Sequence, residues 1–155
     1  MCLNPKLNPK PLSGKVRLAE KWLLAAFDGG RKHAQLHLAY LFFDAGQPGK
    51  ALQHLVRHLS WHVKKGRGAC AGCMQKRGKD TPMLTCSGCR VARFCSTDHQ
   101  KMASRKASLG GNMLEGRHKD LCGVLGKWRQ VMNEGVSHES CIADLFEFLQ
   151  NRNVD

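Results

Sequence analysis

No apolar run in the 155 residues reaches the roughly 18 to 20 positions needed to cross a bilayer, because Lys, Arg, His or Asp interrupts each one first. A transmembrane helix is therefore not expected. Pro5, Pro9 and Pro11 precede any apolar run, so the continuous apolar core of a secretory signal is missing and export is not expected either. Acids are scarce: 12 Asp and Glu stand against 25 Lys and Arg, for a formal net charge of +13. Also absent are a Ser/His/Asp set, a phosphate-cradling glycine loop and a zinc-protease motif, which argues against an enzyme. No repeat array or low-complexity tract occurs.

The basic residues are unevenly placed. Residues 1 to 66 hold eleven Lys/Arg and three acids, residues 67 to 122 eleven and four, and residues 123 to 155 three and five. A surface of this kind permits contact with nucleic acid or an acidic protein without choosing between them. Cysteine is just as local: six of the eight fall between Cys70 and Cys122. In a reducing, intracellular setting, nuclear or cytoplasmic, clustered Cys-x-x-Cys pairs point to metal rather than to disulfides.

Around that segment the apolar period is helical. Residues 1 to 14 read as an extended arm ending at Ser13, a candidate cap. A first helix over about Val16 to Phe27 places Leu18, Trp22, Ala25 and Ala26 on one face and stops at Gly29-Gly30. A second, over about Arg31 to Ala45, carries Leu38, Leu41, Phe42 and Ala45 and ends at Gly46. A third starts at Pro48 and repeats Ala51, Leu52, Leu55, Val56 and Leu59 to about Val63. Its stripe of His54, His58 and His62 lacks cysteine or carboxylate company and reads as a polar helix face. Gly66-Arg67-Gly68 is the candidate boundary. Helical period resumes at Leu121, Leu125, Trp128 and Met132 and ends near Gly135. Ser137 can cap a last helix with Cys141, a core cysteine, Ile142, Leu145, Phe146 and Leu149. The expected domains are an arm (1–14), a helical unit (15–66), a metal-stapled finger (69–122) and C-terminal helices (123–155). The fold class is mainly α with little strand.

A closed zinc site takes four tetrahedral sulfur or nitrogen ligands, and two cysteines separated by two residues can grip one ion from a tight turn. Cys70-Ala-Gly-Cys73 and Cys86-Ser-Gly-Cys89 are two such knuckles, each with a glycine before the second thiolate to permit the turn. Cys95 with His99, and His118 with Cys122, are i, i+4 pairs that one helical turn would bring to a single face. Eight ligands suit two ions. Spacing does not decide between consecutive pairing, as in a zinc ribbon, and interleaved pairing.

The run Cys86-x-x-Cys89, Phe94-Cys95-Ser96, His99-Gln100 and His118-Lys119-x-x-Cys122 resembles the MYND finger. That resemblance implies a cross-brace: Cys70, Cys73, Cys95 and His99 at one zinc, and Cys86, Cys89, His118 and Cys122 at the other. His99 stands where the family usually has cysteine, residues 100–117 form a longer loop than usual, and Glu115 replaces a Trp associated with the family's peptide groove. Leu38, Ala39, Phe42, Gly46, Ala51 and Leu55 resemble one tetratricopeptide unit.

Closed sites leave no open position for substrate, so both zincs are expected to be structural. The MYND resemblance implies a protein-interaction adaptor that docks short proline-containing peptides. The alternative is a nucleic-acid-contacting subunit of a ribonucleoprotein or chromatin assembly. Its candidate contacts are Lys64, Lys65, Arg67, Lys76, Arg77, Lys79, Arg90, Arg93, Arg105 and Lys106, with Trp61 and Phe94 as the nearest aromatics.

Overall fold

The computed structural model describes residues 11–151 apart from 32, 66, 67, 69, 72, 74 and 105–117. Most of the proline-rich arm, Gly66-Arg67 of the expected boundary, Gly72 of the first knuckle and Glu115 lie outside the described residues. Among the described residues the order is α1 (Gly14–Asp28), α2 (Ala34–Asp44), α3 (Pro48–Lys65), β1 (Leu84–Thr85), β2 (Arg93–Phe94), α4 (Thr97–Ser104), α5 (His118–Glu134) and α6 (His138–Asn151). This is the mainly helical class expected. The chain divides into two compact units, Met1–Val56 and Arg57–Asp155.

In the first unit the helix punctuation follows the local chemistry. Ser13 Oγ accepts from Val16 N at 3.4 Å to open α1, and Gly30 (φ 93°) and Gly46 (φ 71°) take the left-handed positions beyond the ends of α1 and α2. α2 is apolar around most of its circumference and buries Ala34, Gln35, Leu36, Leu38, Ala39 and Phe42. The buried Gln35 amide is satisfied: His54 Nδ1 lies 2.8 Å from its Oε1, and the His54 ring stacks on Phe42 at 5.3 Å.

Two expectations are corrected. Leu18 and Trp22 do not face inward; they are 56% and 69% exposed, Ala25 is exposed as well, and no residue of α1 is fully buried. The half-buried side is nearly opposite, with Val16, Leu23 and Phe27. α1 carries apolar residues on two faces, and period alone cannot choose between them. The histidine stripe of α3 is not a solvated face either, since His58 is 1% exposed and packs edge-on against His62 at 4.6 Å.

In the second unit, α5 buries Leu121, Val124, Leu125, Trp128 and Val131, and α6 buries Cys141, Leu145 and Leu149. A Lys127–Asp144 ion pair bridges the two helices, and Trp128 Nε1 donates to Ser60 Oγ at 2.8 Å. Gly135 (φ 70°) closes α5, and Ser137 Oγ accepts from Glu139 N at 3.3 Å to open α6. Cys141 is core, as expected: it is buried, and burial pushes its thiol pKa up. Among the described residues no helix is long and apolar enough to cross a membrane.

Candidate metal centres

The hairpin between the knuckles explains how the ligands are sorted. β1 and β2 are antiparallel, with Leu84 opposite Phe94 and Thr85 opposite Arg93. Cys86 follows β1 at one end of this ladder, where its N–H donates to Ala92 O at 2.9 Å. Cys95 follows β2 at the other end. Two residues that leave opposite ends of a ladder cannot share one ion, so each joins a different cluster. The first knuckle is tied back to β2 by Ala71 N donating to Arg93 O at 2.8 Å, and it is closed by Cys70 N donating to Gln75 O at 3.1 Å. The second turns through Arg90, whose N–H donates to Cys86 O at 3.0 Å and whose φ of 56° is left-handed.

Two four-ligand groups result: Cys70, Cys73, Cys95 and His99, and Cys86, Cys89, His118 and Cys122, the ligand atoms of each lying within 4.8 Å of one another. The pairing is interleaved. A zinc tetrahedron with Zn–S of about 2.3 Å and Zn–N of about 2.0 Å sets sulfurs roughly 3.8 Å apart and sulfur from nitrogen roughly 3.5 Å. Cys73 Sγ to Cys95 Sγ is 3.9 Å and Cys70 Sγ to His99 Nδ1 is 3.8 Å. In the second group Cys86 Sγ to Cys122 Sγ is 3.7 Å and Cys89 Sγ to His118 Nε2 is 3.8 Å. Sulfurs this far apart are not disulfide-bonded, which would require about 2.05 Å. His118 Nε2 to Cys86 Sγ is 3.3 Å, and only Cys95 Sγ to His99 Nδ1, at 2.9 Å, is markedly tighter than the tetrahedron; the donor sets, three cysteines and one histidine each, fit zinc at both sites.

α5 supplies one side of the second site from a single stripe: His118, Cys122 and then Gly126, where an added Cβ would lie 3.3 Å from Cys89 Cα. The expected one-turn pair is realised here. At the first site it is not, because Cys95 lies outside α4 and only His99 is helical. Ser96 sets the offset by capping α4, its Oγ accepting from His99 N at 3.2 Å. Gly88 is also reinterpreted. It does not adopt a left-handed φ; a Cβ there would sit 3.0 Å from Cys122 Sγ. The glycine makes room for the facing ligand. Gly88→Ala is therefore expected to weaken the second zinc by at least about tenfold while the first is retained. Gly123→Ala, with nothing within 4 Å of the new methyl, should leave both in place, and stepwise chelator titration reads the difference.

The sulfurs are held by specific donors. Val91 N and Ala92 N both donate to Cys89 Sγ at 3.4 Å, and Cys95 N donates to Cys70 Sγ at 3.4 Å. Burial, with the facing Cys86 and Cys89 thiols, pushes Cys122 up to about 12. Burial also raises Cys89 and Cys95 and lowers His118. At Cys86 burial opposes, but the amides of Cys89 and Gly88 and the Cys122 thiol together bring it down. A crowd of thiols resists multiple ionisation until a cation arrives, so zinc displaces protons as it binds.

Of the basic residues singled out in the sequence, Lys64, Lys65, Lys76, Lys79 and Arg90 are exposed and Arg93 is half-buried. Arg67, Arg105 and Lys106 lie outside the described residues. Arg77 is a correction: its Nη2 donates to Cys95 Sγ at 3.2 Å, so the guanidinium turns into the first site. Phe94 is wholly buried and meets His118 edge-on at 5.5 Å, which makes it core rather than a stacking platform. Gly126 is the contributor that sequence reasoning missed, and Arg77 the one it assigned to the surface. Gly126 continues the four-residue step of His118 and Cys122, a signal that could have found it.

Residues 70–110 match the family model of the MYND finger. The match stops before His118 and Cys122, so their place in the second site rests on geometry, and it does not extend to the tetratricopeptide-like segment. No curated protein and no solved structure matches the chain.

Proposed function

We propose that this chain, which carries a zinc-binding MYND finger, a protein-interaction domain, is a non-enzymatic adaptor that docks short proline-containing peptide segments of a partner. The observation that carries this reading is the closure of both ligand sets. Four protein ligands at each zinc leave no coordination position for water or substrate, so the ions hold a shape instead of performing chemistry. Among its described residues the finger presents two large exposed apolar side chains, Leu84 on β1 and Met102 on α4, 42% and 58% exposed. An extended proline-containing peptide loses little conformational entropy on docking, which suits a small rigid surface. A reducing nuclear or cytoplasmic setting accords with the thiol-rich sites.

The test is a fluorescence titration of the full chain against proline-containing peptides and against their proline-to-alanine counterparts. Saturable binding to the former is expected, lost in the Cys86→Ser, Cys89→Ser double variant. Equal binding by that variant would refute the reading. The exposed Lys64, Lys65, Lys76 and Arg90 support a second reading, nucleic-acid contact. It predicts RNA or DNA binding that falls steeply with salt.

A further inference from the structure

Among the described residues the two zinc sites differ in what neutralises their sulfurs. Three thiolates and one Zn²⁺ leave a Cys₃His centre with one net negative charge, which each site must offset. At the second site the donors to Cys89 are the backbone amides of Val91 and Ala92. At the first, a full cation takes part. Arg77 lies four residues after Cys73, and its backbone is anchored by donating to Gly68 O at 2.9 Å. Its guanidinium donates to Cys95 Sγ at 3.2 Å and interacts with Cys73 as well. Cys70, the remaining sulfur, is buried and accepts from Cys95 N. Cys73 and Cys95 are only half-buried, so solvent-borne reagents can reach the two sulfurs that Arg77 covers.

We propose that Arg77 is the guard of the first zinc site: by engaging the lone pairs of the half-buried Cys95 and Cys73 sulfurs and cancelling the site's negative charge, it slows electrophilic attack on them and the loss of zinc that follows. The reaction it opposes is alkylation. A Cys95 sulfur lone pair forms the S–C bond to an alkene carbon of a maleimide, the Zn–S bond breaks, the adjacent carbon takes a proton from water, and zinc departs as Zn²⁺. A hydrogen-bonded sulfur is a poorer nucleophile for this step, and an N⁺–H donor binds thiolate more strongly than a neutral one. Arg77 touches no reacting partner other than the sulfurs, so its role is positioning and protection.

The inference rests on both zincs being bound, so native mass spectrometry first counts the ions in the unchanged chain and in each variant; fewer than two in the unchanged chain would refute the zinc assignment itself. Zinc release is then followed with a chromogenic chelator after addition of N-ethylmaleimide, and peptide mapping identifies the first labelled cysteines. Arg77→Met is expected to release one zinc about tenfold faster than the unchanged chain, with label first on Cys95 and Cys73. The other zinc should leave at its original rate. Arg77→Lys, which keeps the charge, should recover much of the protection, and Arg77→Gln, which keeps only a neutral donor, less. Should Arg77→Met fail to load both zincs, the Lys and Gln variants carry the comparison alone. Equal release rates across the variants, equal protection by Lys and Gln, or first labelling at Cys86, Cys89 or Cys122 would overturn the proposal. A purely structural role for Arg77 would accelerate both phases and would not rank Lys above Gln.

Discussion

Native mass spectrometry of the full chain is expected to show two zinc ions, and their removal by a strong chelator to unfold the hairpin and knuckles while helical signal from the Met1–Val56 unit persists. Among the described residues of the hairpin and knuckles the buried apolar side chains are few, chiefly Val91 and Phe94 beside Cys70 and Cys89, and the hairpin is two residues long on each side. That much burial cannot offset the ordering entropy of some thirty residues. Structural zinc in finger peptides contributes an apparent 10–16 kcal/mol or so, about as much as the whole stability of an ordinary domain. The first unit contains none of the eight ligands and keeps its own buried Leu36, Leu38, Phe42, Ala51 and Leu55. Hydrogen exchange on the loaded and stripped chain checks this. Undiminished protection of Cys86 N and Ala71 N after chelation, or fewer than two ions bound, would contradict it.

The loaded chain has a pH limb as well. Zinc displaces the thiol protons of its ligands as it binds, so zinc retention weakens as the pH falls below neutrality. Thermal melts of the loaded chain should therefore drop in midpoint between about pH 7 and about pH 5, and an unchanged midpoint would contradict a zinc-held finger.

Phe94→Ala is the single substitution expected to do the most damage outside the ligands. The ring is wholly buried on β2 and lies edge-on to His118 at 5.5 Å, so it joins the hairpin to the first turn of α5. Truncating a buried Phe costs about 3–5 kcal/mol through lost burial and the cavity left behind. Here it also frees the imidazole that must present Nε2 to the second metal. Denaturant unfolding of the loaded chain should show the loss, and chelator titration should show the second zinc leaving before the first. Phe94→Leu should cost less than half as much. A variant as stable as the parent chain would show that the ring does not support the site.

The legible part of this molecule was whatever short-range chemistry dictates. Ser13, Ser137, Gly30, Gly46 and Gly135 punctuate the helices as their backbone preferences require. The apolar period of α5 and α6 faces the core, and residues 70–110 carry a pattern recognisable as a family. Tertiary structure decided what depends on direction. α1 has two apolar faces, and packing left Leu18 and Trp22 outside. A histidine stripe that looked solvated is buried at His58. A surface arginine by composition, Arg77, turns its charge onto thiolates.

Local spacing alone groups the eight Cys and His ligands into four pairs, because the members of each pair lie only three or four positions apart. Which pairs share an ion was decided by a two-residue antiparallel ladder that sends Cys86 and Cys95 out of opposite ends. Local spacing carries no information about that separation; strand direction does.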